Sequence, residues 1–346
     1  MSRPTLALTQ PLLDWLRADA AWSSVPWTTR ATLAWRSRLG DWNARLSAQL
    51  APTPPLPSEP LFILGPWRSG STVMHELLHA ALGWPTPRTW QCMDPTAFRL
   101  QRAPRHNVPV ARPMDGLALG ALSPQEDEFA LLGLGAESAY RGFWMPHRLD
   151  ALHHTLDPAY WLAHRDWLST WGGFVGPLHG GQGRLLLKSP NHSFRWPALL
   201  AAMPQARAVW MLRDGAAVFA SNRKMWRQMA QLHGLTPWDA ATLDRFLAEA
   251  LSRCAEVLAS VSVPPDRFAT CWQERLREQP EAEVRRVLGQ LGLADGIDQP
   301  AWAQALEATA SGRVEQYPAL SDLSATARAA IARFDAAQQR FAQPAI

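Results

Sequence analysis

Short apolar runs that end in a polar turn and give way to helical spacing recur along this chain. LFILG (61–65), with proline on both sides, meets PWRSGS, after which TVMHELLHAAL puts Val73, Leu77, Leu78 and Leu82 on one face. RLLLKS (184–189) runs into SFRWPALLAAM, RAVWMLRD (207–214) runs into GAAVFASNRKMW, and RFATCW (267–272) is a weaker fourth run. Apolar runs of this length suit buried strands, and strands alternating with helices predict right-handed βαβ units. The expected fold is α/β, a three-layer sandwich with a central parallel sheet of about four to five strands and large helical insertions.

Around that core, residues 1–50 read as an N-terminal helical extension whose Trp15, Trp22, Trp27, Trp35 and Trp42 are expected to pack on the domain. APTPPLPSEP (51–60) is too rich in proline for a helix and reads as a stiff linker, so the α/β domain is expected over 61–346. Residues 96–180 are expected to form a helical insertion. Further helices are predicted at 238–260, 280–292 and 322–341.

Ligands on parallel sheets sit at the carboxyl ends of the strands. Arg68 to Thr72, Lys188 and Arg213 fall there. The segment from Gly65 through Gly70, Ser71 and Thr72 has the glycine spacing of the phosphate loop GxxxxGK[ST], and the fold is P-loop-like in that sense. Backbone N–H groups of such a loop converge on an anion, and the following helix adds its dipole. Ser71 stands where a nucleoside triphosphatase needs lysine, and Arg68 lies inside the loop instead. An arginine with three hydroxyls, on Ser69, Ser71 and Thr72, suits a less charged phosphosulfate held without metal.

FILGPWRSGST resembles the 5′-phosphosulfate loop of sulfotransferases that use 3′-phosphoadenosine 5′-phosphosulfate (PAPS). VWMLRDGAAVFASN is similar to that family's 3′-phosphate element, an apolar strand ending in Arg213 with Ser221 eight residues later. LLLKSPNH resembles a third element of the bacterial and tyrosylprotein-type branches. CWQERLREQPEAEVRRVLGQLGL resembles a fourth, with Trp272 and Arg275 departing from the usual residues. The resemblance implies that Trp67, Arg68, Ser69, Gly70, Ser71, Thr72, Arg213 and Ser221 hold PAPS. Arg313, in SGRVEQYPAL, would close over the nucleotide. It also implies that Arg68 and Lys188 are catalytic, Lys188 stabilising charge on the leaving phosphate.

The general base stays open. Gln91 stands where the related branch often has Glu, and an amide is no base. Glu126 and Glu128, in SPQEDEFALL, lead the candidates, with His75 on the helix after the loop also considered. Glu126 and Glu128 cannot face the same way on a helix, and Ser123 reads as that helix's cap. His192 could orient the nucleotide or Lys188. Trp144, Trp161, Trp167 and Trp171 are candidates to line an apolar acceptor pocket.

Composition narrows the setting. Of 34 basic residues only Lys188 and Lys224 are lysines, and Lys224 reads as a helix-surface charge. A net charge of +4 suits a small anionic substrate, and no basic run predicts a nucleic-acid partner. Cys92, Cys254 and Cys271 have neither disulfide-framework nor metal-ligand spacing, which with the absence of a signal peptide or an apolar stretch of about 18 residues predicts a cytoplasmic protein with no membrane span. The expected activity is transfer of a sulfuryl group from PAPS to a hydroxyl, or an amine, of a small apolar or aromatic acceptor, with PAP as product and no metal. A P-loop-type small-molecule kinase and a PAP-binding relative without transfer activity are the alternatives. No motif reads the oligomeric state, and a homodimer is left open.

Overall fold

Four parallel strands carry the molecule: β1 (Glu59–Leu64), β2 (Arg184–Lys188), β3 (Arg207–Leu212) and β4 (Phe268–Trp272), in the order β2-β1-β3-β4. The computed structural model describes residues 6–50, 54–111, 118–294, 299–310 and 323–341. Ile63 lies opposite Lys188, and Leu64 opposite Trp210. These pairings bring the carboxyl ends of β1, β2 and β3 level with one another. The weak fourth run is a true edge strand. β1 starts at Glu59, two residues earlier than expected, and Pro60 is accommodated because it sits at the strand's entry.

Alternation along the strands divides the core into two layers. Leu61, Ile63, Leu186, Val209 and Met211 face Met74, Leu77 and Leu78 of helix α3 (Ser71–Leu82), together with Val284, Val287 and Trp302. Phe62, Leu64, Leu185, Leu187 and Trp210 face a larger helical layer. That layer includes α4 (His192–Ala202), α5 (Gly215–His233), α6 (Ala240–Ser260) and α7 (Ala325–Gln339). The predicted three-layer α/β sandwich is therefore present.

Two expectations change. The described residues of the 96–180 insertion form short turns, short helices such as Pro158–Ala163 and Trp167–Val175, and one antiparallel pair, Val110–Ala111 with Ala118–Leu119. The N-terminal extension packs on the domain as expected, but through its leucines and small residues and not through all of its tryptophans. Leu12, Leu13 and Leu16 of α1 (Gln10–Arg17) join the larger core, and Thr9 N donates to Gly133 O at 3.0 Å. In α2 (Trp27–Leu50) the face turned to the protein carries Leu33, Ser37, Gly40 and Ser47. Trp15 and Trp22 pack against the core as expected, but Trp27, Trp35 and Trp42 are 72%, 65% and 57% exposed.

Candidate active site

The loop after β1 is built by two left-handed glycines, Gly65 (φ 124°) and Gly70 (φ 88°), with Arg68 itself left-handed between them (φ 69°). A Cβ on Gly65 would come within 2.7 Å of Met211 O, and one on Gly70 within 2.7 Å of the Gln273 side chain. The backbone turns this tightly because both sites lack a side chain. Ser193 ties the loop down, accepting from Gly65 N at 2.8 Å and donating to Gly65 O at 2.9 Å. Gly70 caps α3 and, having no side chain, gives no side-chain cap to the first-turn N–H groups of that helix. Such a terminus favours an anion.

Trp67 and Ser69 turn inward. The Trp67 ring is buried against Phe246 and Trp226, and Asn222 donates to its carbonyl at 2.8 Å. The Ser69 hydroxyl donates to Pro66 O at 2.8 Å within the loop. Ser71 and Thr72 open α3.

Two sequence elements separated by about 150 residues meet at Arg68. Its Nε donates to Ser221 Oγ at 2.9 Å, and Arg213 donates from a guanidinium nitrogen to Arg68 O at 2.5 Å. Arg213 leaves the end of β3 and Ser221 lies inside α5. Gln338 of α7 pins the Arg213 backbone, accepting from its N at 2.9 Å and donating to its O at 3.0 Å. No motif marked Ser193, Asn222 or Gln338, because each acts through the backbone of a distant residue.

Lys188, at the end of β2 and 1% exposed, donates to Thr72 Oγ1 at 3.3 Å and to Glu126 Oε1 at 2.6 Å. Glu126 accepts a second bond from the Tyr140 hydroxyl at 2.6 Å. Burial, with the Glu126 charge beside it, pushes the Tyr140 phenol well above its ordinary range, so it stays a donor. Glu126 lies just before the helix Glu128–Gly133, which starts from Asp127 and not from Ser123.

The next two acids face elsewhere. Glu128 is fully buried and forms a two-pronged ion pair with Arg195, whose guanidinium also lies over Trp161 and Trp167. Asp127 accepts from Trp171 Nε1 at 2.6 Å and lies 2.7 Å from His192 Nε2, both groups fully buried. Burial alone would raise the Asp127 carboxyl, but His192, Trp171 and Arg195 outweigh it and hold it below the ordinary value. Glu128 and His192, both expected at the site, are thus held in the core, by Arg195 and Asp127 respectively. Trp161, Trp167 and Trp171 are core as well, leaving Trp144 alone of that set half-buried. Gln91 accepts from Arg88 N at 2.8 Å at the start of its own short helix. Lys224 is an exposed helix residue, as expected. Arg313 lies outside the described residues.

His75 is buried with Nε2 2.6 Å from Thr86 Oγ1. Burial pushes its imidazole well below the ordinary 6.5, and Lys188, His79 and Arg88 add to the effect. Burial, then Arg88, brings His79 down to about 4. Both rings are neutral in the folded protein and take up protons on unfolding below about pH 6.5. The unfolded state binds more protons in that window, so stability is lost as pH falls from about 6.5 toward 4. Circular-dichroism melting across this range should show the decline, and a His75→Gln/His79→Gln variant should show a shallower slope. An unchanged slope would place the titration elsewhere.

The donor set fits an adenosine 3′-phosphate 5′-phosphosulfate. The glycine cradle, the α3 terminus, Arg68, Arg213, Ser221 and Lys188 supply N–H groups, one hydroxyl and three cations around one rim. A model of the sulfotransferase family matches residues 60–296. Omega-hydroxy-beta-dihydromenaquinone-9 sulfotransferases Stf3 of Mycobacterium tuberculosis and Mycobacterium bovis are 30% identical over 272 residues, covering 75% of this chain and 69% of theirs. Sulfotransferase STF9 from Mycobacterium avium shares the fold at TM-score 0.60 and 19% identity, over 88% of this chain and 85% of that one. Sulfotransferase STF1 from Mycobacterium tuberculosis H37Rv does so at TM-score 0.57 and 19% identity, over 94% and 90%. The kinase alternative is thereby set aside. The family match runs from β1 through β4 and takes in every element that carries the loop, Lys188 and Arg213, so the chain belongs to the sulfotransferase family and is a PAPS-dependent sulfotransferase.

Proposed function

We propose that the chain transfers a sulfuryl group from PAPS to a hydroxyl of an apolar, lipid-like small molecule, with Glu126 as general base and Lys188 as the cation at the leaving phosphate. The observation that carries this reading is that Lys188 Nζ bonds Thr72 of the loop and Glu126 at once. One ammonium thereby joins the place where a phosphosulfate would rest to a carboxylate able to take a proton.

PAPS supplies the sulfuryl group and leaves as PAP. Arg68, Ser71, Thr72 and the loop backbone hold the 5′ end, while Arg213 and Ser221 hold the 3′-phosphate. Glu126 accepts the acceptor's proton on a carboxylate oriented by Tyr140. Lys188 meets the negative charge that grows as the sulfur–oxygen bond lengthens, so side-chain cations fill the role that a metal has in kinases. The acceptor class rests on the relatives that act on an omega-hydroxy-menaquinone. Three buried free thiols, Cys92, Cys254 and Cys271, are in keeping with a cytoplasmic setting.

Calorimetric titration with PAP and with ATP, in EDTA and then in Mg²⁺, tests the nucleotide site. PAP should bind without metal and ATP much more weakly. Binding of ATP only with Mg²⁺ would overturn the assignment of the loop. Ser221→Ala should weaken PAP binding roughly 10- to 100-fold, the range for one hydrogen bond to a charged group. The same titration checks it, and unchanged affinity would remove Ser221 from the phosphate site.

A further inference from the structure

Helix α2 is turned inside out. At about 100° per residue, Trp27, Trp35, Leu39, Trp42 and Leu50 share one arc of roughly 140°. All five are at least 40% exposed. The opposite side, Leu33, Ser37, Gly40 and Ser47, is the buried one. A Cβ on Gly40 would lie 2.1 Å from Leu8 O, so the helix rests hard on the N-terminal segment by its small residues and cannot roll its tryptophans inward.

Nine large apolar side chains are exposed among the described residues, and eight belong to α2 or to residues 98–110. Five are those of α2, Leu100 ends the turn Phe98–Leu100, which packs against α2, and Val108 and Val110 follow that turn in the chain. The same region is basic. α2 carries Arg30, Arg36, Arg38 and Arg45 against a single acid, Asp41, which accepts from Gln10 N. Residues 98–110 add Arg99, Arg102 and Arg105 and no acid. The two segments carry +6 together, and +5 with Asp94, which lies near Arg36 and accepts from Gln101, against +4 for the whole chain.

We propose that α2 and the 98–110 segment form a docking surface for an anionic lipid bilayer. Tryptophan and leucine on one side with arginines at the border is the composition of a helix lying in a membrane interface, and the excess of arginine selects anionic headgroups. No helix among the described residues is long and apolar enough to span the membrane, so attachment is at the surface. The patch also leads to the site. Ser47 Oγ donates to Thr96 O at 2.7 Å, and Asn107 Oδ1 accepts from Leu122 N at 2.9 Å, four residues before Glu126. The inference rests in part on the apolar acceptor class proposed above. A protein that takes such an acceptor gains by resting where the acceptor is dissolved.

Flotation of the whole chain with phosphatidylcholine vesicles, with and without about one-third phosphatidylglycerol, tests it, with light scattering in parallel. The chain should float with the anionic vesicles at low salt and much less with the neutral ones. Trp27→Ser/Trp35→Ser/Trp42→Ser should lose at least about tenfold in partitioning while keeping its melting temperature and its turnover of a detergent-dispersed acceptor. No flotation, or equal flotation by the triple variant, overturns the proposal. A dimer that floats with neither vesicle and dissociates in the triple variant also overturns it, assigning the face to a second copy. The vesicles contain neither PAPS nor acceptor, so failure here leaves the acceptor reading to its own sulfation assay.

Discussion

Glu126→Gln is expected to lower kcat by about two to four orders of magnitude, the usual contribution of a positioned general base. The amide keeps the shape of the carboxylate and can still accept from Tyr140, so the structural change is small. PAP affinity should stay within about threefold, since Glu126 reaches the nucleotide side only through Lys188. Steady-state kinetics with calorimetry on the same preparation separates the two. Turnover within about tenfold of the parent would move the base elsewhere. Glu128→Gln is the contrast. Glu128 and Arg195 are both buried, and breaking such a pair leaves an uncompensated charge, so this variant should lose folding stability by about 3–5 kcal/mol. A melting curve reads that loss directly.

Lys188→Met is expected to cost about two to three orders of magnitude in kcat, the range for removing one preorganised charge-stabilising group. Methionine fills most of the space of the lysine stem, which matters at a side chain only 1% exposed. PAP binding should fall less than turnover, because an interaction that strengthens as charge develops acts mainly on the transition state. Because Lys188 and Glu126 are in contact, the double variant should lose far less than the product of the two single losses. A fully multiplicative loss would mean that the two act independently, against the coupled pair seen here.

How much of this could be read beforehand depends on the distance over which each feature is decided. The phosphate loop was legible because strand, turn glycines, hydroxyls and helix start fit within a dozen consecutive residues. The sheet was legible for a similar reason: each strand announces itself by a local apolar run, and alternation with helices limits the topology to parallel crossovers. Lys188 stood out because lysine is scarce in this chain and it closes one of those runs.

The base was not legible in the same way. Glu126, Asp127 and Glu128 are three adjacent acids, and their different roles follow from Lys188, His192 and Arg195, each more than 60 residues away. The tryptophans failed more instructively. Helical periodicity shows that large apolar residues share a face, and the default is to turn that face inward. At α2 the close approach of Gly40 to Leu8 O reverses the choice.

What the chain determined by itself was therefore the layered α/β architecture and the glycine loop after β1, patterns carried by neighbouring residues, while the pairing of Arg213 with Ser221 came from the family resemblance. What only the tertiary structure decided was which of three acids meets the lysine, which tryptophans are core and which are surface, and that Arg68 bonds both Arg213 and Ser221. Those outcomes depend on which side chains meet across long stretches of chain. Local propensity carries no information about such meetings, whereas packing and the pairing of buried charges settle them.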